Sequence, residues 1–219
     1  MLRTGWAVTF IYLSLVGLAH GADLAHAPNV RVGDTWKYNQ LDGFTNEIKF
    51  EFSRRVVGIS DSEITIEQTI KGRAGYRVII YDRFWNLIDN GTLKFEPSNG
   101  VQSFPVTIGK VLRKEYREKN IKTGVFSVCT VSGQYVGWEK VTVPAGTFDT
   151  LRLEDEIECR STGADAAINK TAHKSWYAPS VNKYVRTESQ TVRDGRVREK
   201  TGTELVEYSP ARPDPGHAP

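Results

Sequence analysis

Two cysteines, Cys129 and Cys159, are the residues of this 219-residue chain whose chemistry depends most on where the chain resides. Cys129 lies in the segment Val125–Val131 and Cys159 in Leu151–Arg160, both strand-like. In an oxidising compartment such a pair closes, and a bridge enclosing about 30 residues stabilises by roughly 3–4 kcal/mol through loop entropy. Two buried free thiols are the other reading. A simple register through the turn at Pro144–Gly146 sets Cys159 against Gln134, so pairing the cysteines takes a bulge or a closed sheet.

Other chemistry is sparse. With four histidines in the chain, a Ser-His-Asp relay or a histidine metal site has to be built around His173, with Ser175 two residues on. Glu154, Glu156 and Glu158 alternate onto one strand face, with Leu153, Asp155 and Ile157 on the other. A carboxylate row can bind calcium or supply a hydrolase acid/base pair, using Glu154 or Asp155. Calcium loops, however, turn back through glycine to converge their oxygens, whereas a straight strand spaces alternate side chains nearly 7 Å apart. The plainer reading is a solvated face opposite Lys and Arg on a neighbouring strand. The run Lys110–Lys122 offers cations to anionic lipid headgroups or envelope glycans, and its charges on both faces also suit a protected edge strand. Trp36, Tyr38, Trp85, Trp138, Trp176 and Tyr177 either line a cavity for an acyl chain or sugar, or fill the core. The candidate cavity lining is Trp36, Tyr38, Trp138, Trp176 and Tyr177. No cofactor motif is present, so none is expected.

The elements that must position these residues read as strands almost throughout. Thr35–Tyr38, Glu47–Phe52, Glu63–Glu67 and Tyr76–Tyr81 are β-branched or aromatic runs with period-two alternation. The best helical rival, Val111–Lys122, has only Leu112 and Tyr116 as an apolar stripe; read as a strand it puts Leu112, Lys114 and Tyr116 on one face. Arg193-Asp194-Gly195-Arg196 reads as a type I′ hairpin, Val143–Phe148 as a second and Asp89–Thr92 as a third. Val30–Lys37 and Val106–Arg113 echo each other: two alternating apolar residues, a glycine, then a strand. That marks either two similar half-sheets or a common turn-then-strand pattern.

The ends carry separate signals. Arg3 precedes an uncharged apolar stretch from Trp6 to Leu18, and Ala19-His20-Gly21 follows as a cleavage site, so residues 1–21 read as a secretory signal peptide. The stretch is shorter than the roughly 20 residues a spanning helix needs. No second such segment follows, so no transmembrane segment is expected in the mature chain. Residues 28–209 read as a single β domain and 210–219 as a disordered Pro-rich tail. A charge of +3 from 29 basic and 26 acidic residues is too balanced for a general nucleic-acid binder.

Val32-Gly33-Asp34-Thr35-Trp36-Lys37-Tyr38, Phe104–Lys110, Val141–Asp149 and Trp176–Val181 resemble the recurring VGDxW, FPLxVGK, VPAGTF and WYAP blocks of exported Gram-negative β-rich proteins of unknown function. Leu112 stands where an aromatic is common there, and Val106 where leucine is common. The resemblance implies a curved sheet in the periplasm, similar in outline to half-barrels that carry lipoproteins or lipids. The expected architecture is therefore an all-β, mostly antiparallel curved sheet of about ten strands, forming a half-barrel or open barrel. The expected function is a non-catalytic binding or chaperone-like module for a lipid, acyl chain or other envelope ligand. The alternatives are a structural or protein-interaction component with a packed core, and a carboxylate-dependent hydrolase.

Overall fold

The structure is a computed structural model and describes residues 26–162 and 168–212. The segments read as signal peptide and as most of the tail lie outside these residues. Twelve strands follow one another in chain order. They are β1 (Thr35–Asp42), β2 (Ile48–Ile59), β3 (Glu63–Ile70), β4 (Arg77–Asp82), β5 (Leu87–Asp89), β6 (Leu93–Glu96), β7 (Val111–Asn120), β8 (Phe126–Val143), β9 (Gly146–Ser161), β10 (Ile168–Ala178), β11 (Lys183–Arg193) and β12 (Arg196–Ser209).

Each strand pairs antiparallel with its neighbours in sequence, and β1 pairs with β12 from Thr35↔Ser209 to Asp42↔Thr201, which closes a barrel. The expected half-barrel or open sheet of about ten strands is corrected on both counts. Closure comes from the pairing of the first and last strands, which no local pattern announces. The additional strands are β5 and β6, three and four residues long, too short for alternation to register. They seal the wall thinly, through the single pair Asp89↔Lys94 between them.

Turn chemistry behaves as its residues dictate. Asp194 (φ 52°) and Gly195 (φ 70°) both take positive φ, and the hairpin closes on Arg193↔Arg196. The echoed segments use their glycines alike. Gly33 (φ 99°) donates its N–H to Val56 O and Gly109 (φ 77°) to Tyr135 O. Val30 and Val106 are buried, while Val32 and Ile108 are exposed. Val111–Asn120 is a strand with Tyr116 buried. Its expected place at an edge is corrected: β8 pairs along it from Val111 to Lys119 and β6 pairs with Arg117–Asn120, leaving only the Val111–Tyr116 half without a second partner.

The segment between β6 and β7 passes beside that half and packs against the core-facing side of the wall. Lys114 Nζ donates to Ser98 Oγ (2.6 Å), and Val101 and Val106 are buried against Tyr116, Val131 and Tyr135. Gly133 on β8 makes room for it. A Cβ there would lie 2.7 Å from Asp155 Cβ, 2.9 Å from Val101 Cγ2 and 3.0 Å from Glu154 O. Gly133→Ala is therefore expected to cost about 1–3 kcal/mol of stability through overpacking, read as a lowered urea midpoint. An unchanged midpoint would show that the β6–β7 segment does not press on β8.

Candidate functional site

The cysteines meet through a register shift. The β8–β9 hairpin closes on Val143↔Gly146, tighter than the turn expected from sequence, and plain alternation from there would set Cys129 against Arg160. A bulge between Tyr135 and Gly137 moves the register by one residue and makes Cys129↔Cys159 a direct pair. The two are bridged, with a Cα–Cα distance of 4.1 Å. Tyr116 Oη lies 3.8 Å from Cys159 Sγ, and Glu118 is close to both sulfurs. Burial pushes the Glu118 carboxyl above its ordinary value, partly offset by a hydrogen bond from Ser127. Because the sulfurs are spent on each other, this grouping offers no thiolate to a metal.

The aromatic candidates separate. Trp36, Tyr38, Trp176 and Tyr177 belong to one buried cluster, and Trp138, 38 % exposed, does not. Trp36 is fully buried; its indole N–H donates to Val181 O (2.9 Å), and its ring stacks on Tyr208 and meets Trp85 edge-on at 5.9 Å. Tyr38 stacks on Phe52 and donates to Tyr184 O (2.8 Å). Tyr177 packs against Phe104 and Tyr184. Trp176, one residue before Tyr177, points to the other face of β10, where its indole N–H donates to the Glu139 carboxylate and the Arg186 guanidinium lies 5.3 Å from its ring centroid. In the same cluster the ammonium of Lys183 sits 3.0 Å from the Trp85 ring centroid and 4.3 Å from that of Tyr81. Burial pushes this lysine well below its ordinary pKa, and the Arg54 charge adds to the effect. Nothing in the sequence flagged Lys183, since a lysine within an alternating strand normally reads as surface.

His173 and Asp155 are brought together by the β9–β10 register, with Nδ1 3.0 Å from Oδ2. Ser189, not Ser175, stands opposite His173 on β11. Asp155, His173 and Ser189 thus form one row across three strands. Ser189 makes no hydrogen bond to the imidazole among the described residues. The backbone N–H groups around it serve the strand ladder, and so supply no oxyanion donors of the kind an acyl-transfer site needs.

The Glu154–Glu156–Glu158 stripe faces away from Cys129, Val131 and Tyr135. Glu158 pairs with Lys170 (3.0 Å), and Glu154 lies 3.4 Å from Arg152 and 3.9 Å from Lys174. On this face two open clefts of about 880 and 890 Å³ run side by side across β7–β11, the first continuing over β12 to β1. They share Arg113, Ser132, Glu156, Ala172 and Gln190, which are successive register partners and so form a single ridge. Arg186, Glu188, Lys200 and Glu204 wall the first cleft, and Glu115 and Lys170 the second. The carboxylates on this strip were legible in the sequence. The cations expected opposite them on a neighbouring strand are Lys170 and Lys174 of β10, register partners of Glu158 and Glu154.

No family model matches the chain, and no curated protein matches it. Solved structures do. A lipoprotein candidate from Parabacteroides distasonis has 15 % identity and a TM-score of 0.54, over 85 % of this chain and 98 % of its own. An exported-protein candidate of YmcC-like fold from Bacteroides fragilis has 15 % identity and a TM-score of 0.50, over 84 % and 99 %. A hypothetical lipoprotein of Escherichia coli, YmcC, has 7 % identity and a TM-score of 0.48, over 83 % and 87 %. The chain shares the fold of the two Bacteroidetes proteins, as the resemblance to exported β-rich proteins implied. At this identity the likeness speaks to the fold alone.

Proposed function

We propose that this chain is a non-catalytic binding module of the cell envelope, and that it receives a polar, charged ligand on the outer face of β7–β12. The observation that carries this reading is the pair of contiguous clefts walled by side chains of both signs. The candidate aromatics do not favour an acyl-chain site: Trp36, Tyr38 and Tyr177 pack against other buried rings, and Trp36 and Tyr38 donate to backbone carbonyls. The envelope setting is supported by the exported and lipoprotein candidates that share the fold. The ion pairs of Glu154 and Glu158 with Arg152, Lys174 and Lys170 support a binding role over carboxylate-dependent hydrolysis. A structural role in which the same face meets a protein is the second reading, favoured by the packed aromatic cluster.

The test uses soluble peptidoglycan fragments, whose stem peptides carry carboxylates and amines, titrated against the wild type and a Glu154→Lys, Glu156→Lys double variant. Reversing two charges is expected to weaken binding by about tenfold or more, equivalent to at least 1.4 kcal/mol. Parinaric acid, whose fluorescence rises in an apolar cavity, is expected to show no saturable uptake. Saturable uptake of that acid, or fragment binding indifferent to the charge reversal, would overturn the reading.

A further inference from the structure

The strand directions divide the barrel's turns between two rims. The start of β1 and the end of β12 share one rim with the β6–β7 segment. The opposite rim is formed by the turns after β1, β3, β5, β7 and β11. On that rim the turn between β7 and β8 and the first residues of β8 expose Ile121 (48 %), Val125 (44 %), Phe126 (42 %) and Val128 (49 %). Hairpins further round the same rim, β1–β2, β3–β4 and β11–β12, add Phe44, Ile48, Tyr76, Val78 and Val197, all exposed. Apolar side chains placed at several turn tips suit contact with an extended flat surface more than with one compact partner.

Five cations gather around the hairpin. Lys94 pairs in register with Lys119, and Lys119 with Phe126; Arg117 pairs with Val128, and Val128 with Arg160. Lys119 Nζ sits 5.2 Å from the centre of the Phe126 ring, and Lys122 lies in the turn itself. Among the described residues none of these five cations makes an ion pair, although lysines elsewhere, such as Lys37, Lys71 and Lys140, do. The carboxylates among their register partners, Asp89 beside Lys94 and Glu96 beside Arg117, do not reach them. Lysine is depleted at protein–protein interfaces, whereas lysines and arginines beside exposed aliphatic and aromatic side chains are what an anionic bilayer surface attracts.

We infer that this rim docks on the surface of an anionic phospholipid bilayer, with Phe126 and its aliphatic neighbours entering the headgroup region and the five cations facing lipid phosphates. The site is separate from the outer-face clefts and does not depend on what they bind. The test is co-sedimentation with vesicles of phosphatidylglycerol and phosphatidylcholine, with phosphatidylcholine vesicles as control. The wild type is expected to bind the anionic vesicles and to be released at about 0.5 M salt, where screening shortens to a few ångströms. Lys119→Glu with Lys122→Glu, and separately Phe126→Ser with Val128→Ser, are each expected to lower the bound fraction about tenfold or more. All four positions are exposed, so circular dichroism should report an unchanged fold. Val125→Trp should give a blue-shifted emission on the anionic vesicles only. Equal binding to both vesicle types, no binding to either, or a wild-type dimer that Phe126→Ser separates would each overturn the inference, the last by placing a second copy on the rim.

Discussion

Replacing Trp36 by alanine is expected to destabilise the protein by about 3–5 kcal/mol, the range for removing a fully buried large side chain. Trp36 is 0 % exposed, stacks on Tyr208 at 5.7 Å and meets Trp85 edge-on. Its indole N–H holds Val181 O in the 3₁₀ turn Pro179–Val181 that links β10 to β11. Alanine therefore removes packing against β12, the edge-to-face contact with the β4–β5 turn and a hydrogen bond across 145 positions of chain. Trp36→Phe keeps most of the packing and loses the donor, so it should cost only about 1–3 kcal/mol, the penalty of an unpaired buried acceptor. Urea unfolding of the two variants checks the ordering. A loss below about 1 kcal/mol for the alanine variant would mean that the cluster collapses freely onto the vacated space.

The second large effect belongs to the disulfide. Cys129 and Cys159 are separated by 30 positions, and removing the link from the denatured chain should cost about 3–4 kcal/mol in loop entropy. The double variant Cys129→Ala, Cys159→Ala is expected to show that loss in its urea midpoint. Each single variant should lose a similar amount, since either one abolishes the bridge. Reductant should bring the wild type down towards the double variant while leaving the variant unmoved. Equal midpoints for wild type and double variant would show that residual structure in the denatured chain already holds the two segments close. The bridge joins directly opposed residues of one hairpin, so its loss should leave the β8–β9 register intact.

How far the sequence carries differs from residue to residue. Asp194-Gly195 announced its own hairpin because two positive φ angles are needed there and those residues tolerate them. Val111–Asn120 was legible as a strand because its apolar residues fit a period of two and not a helical stripe. The carboxylate row was legible for the same reason. The bridge between Cys129 and Cys159 stood open between two readings, and what decided it was the bulge at Val136, whose one local mark is Gly137, a glycine inside the strand with φ 154°. β5 and β6 showed only in their turn, Asp89–Thr92, because three or four residues cannot display a period.

Alternation and turn chemistry, then, determined an all-β chain, the faces its strands present and three of its hairpins, because those depend on neighbours a few positions apart. Tertiary structure alone decided that β1 meets β12 to close the barrel, that His173 finds Asp155, that Lys183 sits over Trp85, and that five unpaired cations gather beside Phe126 on one rim. The physical reason is register. Which residue stands opposite which across distant strands is set by closure, bulges and packing of the whole wall, and a shift of one residue turns every side chain to the other face.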